Sequence, residues 1–134
     1  MHPKKILIID DDRDDREIFC DALAEVDPSA VCYSSRNGIE AIEMLTAPDA
    51  VVPDFIFLDL NMPIMSGKQC LAELKKIRKL HRSHIVIYTT SKLADDFSDA
   101  ISMGALHFLT KPARFSELRT ALSNVLAENW ELVK

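Results

Sequence analysis

The chain has 134 residues, 48% of them hydrophobic, and 21 acidic against 16 basic side chains give a net charge of −5. That length suits one domain with a single core, and the acidic balance excludes a nucleic-acid surface, which needs a basic stripe to displace counterions, and argues against membrane binding. No apolar run approaches the roughly 20 residues of a spanning helix, and Met1-His2-Pro3-Lys4-Lys5 leads into too short an apolar stretch for a signal-peptide core, so a cytoplasmic protein is expected.

The first apolar run is Ile6-Leu7-Ile8-Ile9, short and without polar alternation, as suits a strand covered on both faces. Asp10-Asp11-Asp12 follow it, and then a helical stripe of Ile18, Phe19, Ala22, Leu23 and Val26 that closes at Pro28. Val31-Cys32-Tyr33 is the second run; Ile39, Ile42 and Leu45 form the stripe after it, closed by Pro48. Phe55-Ile56-Phe57-Leu58 leads into Asp59, and Leu71, Leu74 and Ile77 mark a third helix. Ile85-Val86-Ile87-Tyr88 is followed by Thr89-Thr90-Ser91 and a weaker helical stripe of Phe97, Ala100 and Ile101, ending at Gly104. Leu106-His107-Phe108-Leu109 ends in Thr110-Lys111-Pro112, and Phe115, Leu118, Leu122 and Val125 define the last helix, which is expected to run on into Glu128-Asn129-Trp130-Glu131-Leu132-Val133.

Alternating strands and helices with parallel pairing imply right-handed crossovers and an open, doubly wound α/β sheet. A closed eightfold barrel needs roughly twice this length. No linker or low-complexity tract interrupts the pattern, so residues 1–134 are read as a single domain. Cys20, Cys32 and Cys70 are odd in number and widely spaced, with no C-x-x-C pair, and are expected to be reduced packing residues.

Open α/β sheets bind their ligands outside the carboxyl ends of the strands. Strands one, three, four and five deliver carboxylates, hydroxyls and an ammonium to that edge. Clustered carboxylates repel one another unless a hard cation joins them, and Mg²⁺ favours a few carboxylates, water and phosphate oxygens. A lysine and a threonine hydroxyl alongside supply a counter-charge and a donor for a tetrahedral anion. The set fits phosphoryl transfer to a carboxylate, with metal and lysine neutralising charge as the group moves in line.

These residues resemble the receiver domains of bacterial two-component response regulators, over essentially the whole chain. The similarity rests on Asp10-Asp11 after the first strand, on Leu58-Asp59-Leu60-Asn61-Met62-Pro63-Ile64-Met65-Ser66-Gly67, which matches the family's L-D-x-x-M-P-x-M-x-G, on Thr89, and on Lys111-Pro112. The resemblance implies a flavodoxin-like (βα)5 fold with a five-stranded sheet in order 2-1-3-4-5. It further implies that Asp59 is the phosphoacceptor, that Asp11, Asp59 and the backbone carbonyl of Asn61 ligate Mg²⁺ directly while Asp10 acts mainly through water, and that Lys111 pairs with Asp59 and then with the phosphoryl oxygens. Thr89 would hydrogen-bond the incoming group. Phe108 would occupy the place of the rotamer-switching aromatic, without the hydroxyl of the tyrosine common there. A cis bond before Pro112 is frequent in the family. Implied partners are a sensor histidine kinase or phosphotransfer protein and a downstream protein, with a homodimer through the fourth helix, fifth strand and fifth helix as a possible output, and Trp130, Leu132 and Val133 as apolar tail residues that would serve it.

Plainer roles compete for several positions. Asp12, Asp14 and Asp15 suit helix capping and the positive end of a helix dipole, and the run of aspartates leaves the acidic pair open to a shift of one residue. His81 and His84 are expected to be loop histidines, since no third ligand lies near them in sequence. Lys68, Lys75, Lys76, Arg78, Lys79 and Arg82 read as a solvated face of the third helix, and Met62 and Met65 as packing for the loop after Asp59. Two other functions use this architecture. A metal-dependent phosphohydrolase with an aspartyl-phosphate intermediate usually carries a second aspartate two residues after the nucleophile, where this chain has Asn61. A flavin binder needs hydroxyl and glycine donors after the first strand, where this chain is acidic.

Overall fold

The computed structural model describes residues 2–133. Five strands, β1 (Lys5–Ile9), β2 (Val31–Ser35), β3 (Phe55–Leu58), β4 (His84–Thr89) and β5 (His107–Thr110), alternate with five helices, α1 (Arg13–Val26), α2 (Gly38–Thr46), α3 (Gly67–Leu74), α4 (Ala94–Ser102) and α5 (Phe115–Leu126). Every pairing is parallel and the order is β2-β1-β3-β4-β5. Ile9 pairs with Leu58 of β3 and with Ser35 of β2, so Asp10 and Asp59 leave the sheet side by side.

Successive residues of the central strands serve opposite faces, which is why their sequences are apolar without alternation. Leu7, Ile9, Ile56, Leu58, Ile85 and Ile87 pack with Ala41, Leu45, Leu71, Leu74 and Ala100 of α2, α3 and α4. Ile6, Ile8, Phe57, Val86 and Tyr88 pack with Phe19, Ala22 and Leu23 of α1 and Leu118, Leu122 and Val125 of α5. Phe19 anchors this second layer, its ring 4.8 Å from Phe57 and 5.5 Å from Tyr88. Each such fully buried side chain contributes about 1.5–3 kcal/mol against exposure. Side-chain caps set where three helices begin: Asp12 accepts from Asp15 N, Asn37 from Glu40 N, and Ser66 forms a reciprocal capping box with Gln69.

Four expectations need correction. Helix α3 stops at Leu74, so of the basic run only Lys68 lies on it; Lys75 is its C-cap, and Arg78 and Lys79 occupy a separate 3-10 turn. His84 is the first residue of β4, packed 5.2 Å from the Phe55 ring, and its Nε2 lies 3.3 Å from Glu128.

The last helix does not run on into the tail. It ends at Leu126, Glu128 adopts φ +58°, and Glu128 N and Asn129 N bond back to the Val125 and Asn124 carbonyls. That is a Schellman closure made with glutamate where glycine is usual. The reversal lets half-buried Trp130 stack on His107 at 5.7 Å and buries Val133. The Trp130 carbonyl also meets His107 Nε2 at 3.1 Å.

Cys20 and Cys32 are not reduced: they form a disulfide between α1 and β2, with Cα atoms 5.9 Å apart, leaving Cys70 as the free, buried cysteine. The crossover that lays α1 against β2 brings the two together, a proximity that sequence spacing does not reveal. Every peptide bond among the described residues is trans, Lys111–Pro112 included.

Candidate functional site

The sheet ladder itself aims the acidic groups. Asp59 N donates to the Ile9 carbonyl (3.0 Å) and Asp10 N to the Ser35 carbonyl (3.1 Å), extending the strand pairing one residue past the strands. Lys111 N donates to the Thr89 carbonyl (2.7 Å) and fixes the end of β5 in the same way. Its side chain then crosses the strand ends: Lys111 Nζ lies 2.6 Å from Asp10 Oδ2, 2.8 Å from Asp15 Oδ2 and 3.2 Å from Asp59 Oδ2. The ammonium also sits 5.5 Å above the Tyr88 ring, a favourable cation–π placement.

Remaining lone pairs are used locally. Asp10 Oδ1 accepts from Asp12 N (2.9 Å) and Asp59 Oδ1 from Asn61 N (3.1 Å). Asp10 is fully buried, and burial pushes its carboxyl above the ordinary value of 3.8 against the opposing pull of Lys111. For Lys111, burial works to lower the ammonium pKa, but its hydrogen bonds to Asp10 and Asp15 and the charge of Asp59 outweigh this and raise it. The lysine therefore stays charged.

Asp11 is exposed, and carboxylate oxygens of Asp10, Asp11 and Asp59 lie within 4.8 Å of one another. Asp10, Asp59 and Asp15 share the single Lys111 ammonium, and the Asp11 carboxylate adds a further negative charge beside them. The donor atoms are all oxygen, with no sulfur or imidazole, and the residual charge is negative. That chemistry fits a hard divalent cation such as Mg²⁺.

Thr89 is fully buried at the end of β4, and its Oγ1 accepts from Ser91 N at 3.4 Å, with Asn61 Nδ2 at 3.5 Å. Phe108 is buried on β5, its ring 5.5 Å from that of Phe97, which is half exposed on α4. Asp10, Asp11, Asp59, Asn61, Thr89 and Lys111 thus converge at one sheet edge, while Phe108 lies one strand step behind it.

Several participants escaped sequence reasoning. Asp15 reaches Lys111 as well as suiting the dipole, and its place in the first turn of α1, directly after the acidic residues that follow β1, is the available signal. Arg16 Nη1 donates to the Asp10 carbonyl at 2.8 Å. Lys68 joins α3 to α4 through Asp96 (2.7 Å) and Asp99 (2.8 Å), and the hydrogen bond from Lys68, with a second from Ser91, holds the Asp96 carboxyl below its usual range.

Fold and site together define a doubly wound α/β module of the phosphoacceptor signalling class. The response regulator receiver domain profile matches residues 6–123, and the chain belongs to that family. It is 29% identical over 123 residues to the chemotaxis protein CheY of Halobacterium salinarum, covering 92% of this chain and 97% of the relative. It spans only 31% of the length of another relative, the protein-glutamate methylesterase/protein-glutamine glutaminase of Methanococcoides burtonii. Among solved structures, the phosphorylated cyanobacterial phytochrome response regulator RcpA superposes with a TM-score of 0.84 at 30% identity, covering 97% of this chain and 95% of that one. The Mn²⁺-bound form of response regulator Rcp1 gives 0.82 at 27% identity, with 98% of each chain covered. Family membership disfavours the phosphohydrolase alternative.

Proposed function

We propose that Asp59 accepts a phosphoryl group from a histidine kinase or phosphotransfer protein, and that the chain, acting as a single receiver domain in the cytoplasm, signals by altered protein–protein contact. The observation that carries this reading is the Lys111 ammonium bridging buried Asp10 and Asp59, with the Asp11 carboxylate alongside. Asp10, Asp11, Asp59 and the Asn61 carbonyl would hold Mg²⁺, which when bound neutralises charge on the transferring phosphoryl oxygens. The Mn²⁺ named for Rcp1 supports a divalent cation in this pocket.

One carboxylate oxygen of Asp59 attacks phosphorus as the bond to the donor breaks in line. Lys111 turns from Asp59 to a phosphoryl oxygen, keeping its charge throughout, and the Thr89 hydroxyl donates to another. Asn61, in place of a second aspartate, supplies no general acid or base, so chemistry on external substrates is not expected and the chain catalyses only its own phosphorylation and dephosphorylation. As Thr89 moves inward, Phe108 turns into the vacated space, and the face of α4, β5 and α5 changes for a partner or a second copy.

Acetyl phosphate with Mg²⁺ should add one phosphoryl group, labile in mild base, and Asp59→Asn should abolish it. Unchanged labelling of that variant by intact mass would reject the assignment.

A further inference from the structure

We propose that Cys20 and Cys32 form a reversible thiol–disulfide site whose state sets how tightly the acidic pocket holds a divalent cation, an inference that rests on the function proposed above. The bond joins the two elements that hold the backbone of Asp10. Asp10 N donates to the Ser35 carbonyl, on β2 three residues after Cys32. The Asp10 carbonyl accepts from Arg16, on α1 about one helical turn before Cys20. Cys20, α1, Arg16, Asp10, Ser35, β2 and Cys32 therefore make a closed ring, with the disulfide as its covalent link. The same first turn of α1 supplies Asp12 N to Asp10 Oδ1 and Asp15 to Lys111.

Both cysteines are half-buried, at the sheet edge formed by β2, and a groove lined by Arg13, Arg16, Glu17, Asp21 and Ser34 opens onto Cys20. In a reducing compartment a disulfide so placed is more often redox-sensing than permanent. A thiolate of a dithiol reductant attacks one sulfur, the Cys20–Cys32 bond breaks, and a mixed disulfide forms. The second thiol of the reductant then displaces the other cysteine. Two electrons and two protons end on Cys20 and Cys32, and the reductant leaves as its own disulfide. Glutathione disulfide reverses the step, giving two glutathiones. Reduction does not release α1 from the core, because Phe19, Ala22 and Leu23 stay buried against the sheet. It loosens the helix end that braces Asp10, so the effect is graded rather than all-or-none.

The experiment compares the whole chain after glutathione disulfide with the same chain after a dithiol reductant, using Mn²⁺ alone as the probe and electron paramagnetic resonance as the readout. Iodoacetamide on the native protein should label no cysteine in the oxidised form and two in the reduced form, since Cys70 is buried. Mn²⁺ affinity should fall about fivefold on reduction, at the low end of ordinary coupling between sites. Cys20→Ser and Cys32→Ser should each show the weaker affinity under both conditions. Ready alkylation of Cys20 and Cys32 after oxidant treatment would overturn the proposal, as would equal Mn²⁺ affinity in the two redox states or a redox response that persists in the serine variants. Absence of Mn²⁺ binding in every form would instead reject the proposed function, and the coupling with it.

Discussion

The Asp59 carbonyl leaves no room for a side chain at position 67: a methyl group built on Gly67 would fall inside the contact distance of that oxygen and of Leu60 Cα. Gly67 N also donates to the Leu60 carbonyl at 3.0 Å, so the start of α3 is pressed directly against the backbone that carries the proposed nucleophile. The clash is with main chain and cannot be relieved by a rotamer change. Gly67→Ala should therefore destabilise the fold by about 2–3 kcal/mol, in the range of overpacked sites, and slow acetyl phosphate labelling of Asp59. Urea unfolding and intact mass measure the two effects; a variant as stable and as readily labelled as the wild type would contradict the packing.

Lys111 is the only cation paired with the carboxylates of Asp10, Asp15 and Asp59 among the described residues. Lys111→Met keeps most of the length of the side chain and removes the charge. Removing one partner of a buried ion pair typically costs about 3–5 kcal/mol, and the metal-free variant should lose close to the lower figure. Because the stranded carboxylates repel one another, Mg²⁺ should raise the melting temperature of the variant more than that of the wild type. Equal shifts would show that the lysine does not balance this cluster.

Ile64 combines three features that rarely coincide: it is β-branched, it has φ +68°, and it is 90% exposed. A left-handed conformation costs an L residue roughly 1–2 kcal/mol, and here almost no burial offsets it. Ile64→Gly should stabilise the chain by about 1 kcal/mol, at the low end of that cost because glycine also gains freedom in the unfolded state. A loss of stability in urea would refute the strain. Lower phosphotransfer from a protein donor, with acetyl phosphate labelling unchanged, would show that the exposed side chain serves docking.

Burial pushes the Cys70 thiol from its usual 9.0 up to about 12. The unfolded thiol ionises above pH 9 while the folded one keeps its proton to near 12, so rising pH in that window favours the unfolded state. Native Cys70 should resist iodoacetamide from pH 7 to pH 9 and react promptly in urea. Rapid native labelling at pH 8 would mean that the thiol is not sealed in the core.

Trp130 is half-buried against His107 and His84 at the start of β5 and β4. Trp130→Ala should therefore lower stability by about 1–2 kcal/mol through lost aromatic packing. The half-exposed Phe97, Ile101 and Leu106 on and beside α4 and β5 are the apolar side chains that the second-copy contact proposed above would use instead. Sedimentation with and without beryllofluoride tests this: Phe97→Ala should weaken any dimer more than Trp130→Ala does, and an unchanged monomer in both states would leave a separate partner as the output.

What sequence made legible follows from physics that acts locally. Runs such as Ile6–Ile9 and Phe55–Leu58 are apolar on both faces because both are covered, and the polar residues directly after each run land at the ligand-binding edge, which brings Asp10, Asp59 and, one residue past Thr110, Lys111 together. Asp15 was obscured because every residue of an aspartate run at a helix start also suits capping. The disulfide was hidden because Cys20 meets Cys32 only through the crossover of α1. The end of α5 carries no such signal because Glu128, not glycine, takes the left-handed turn that closes it.

Lys111 and Asp10 touch across 101 residues of sequence. No fragment that lacks either β1 or β5 contains the pocket, and parallel sheets assembled from such distant strands form late and slowly. A nascent chain still short of residue 111 has neither the ammonium nor the closed acidic cluster, so during synthesis it would be invisible to a phosphodonor. Competence to receive a signal is therefore tied to assembly of the whole sheet from β1 to β5, and a copy in which either strand comes away loses the pocket with it.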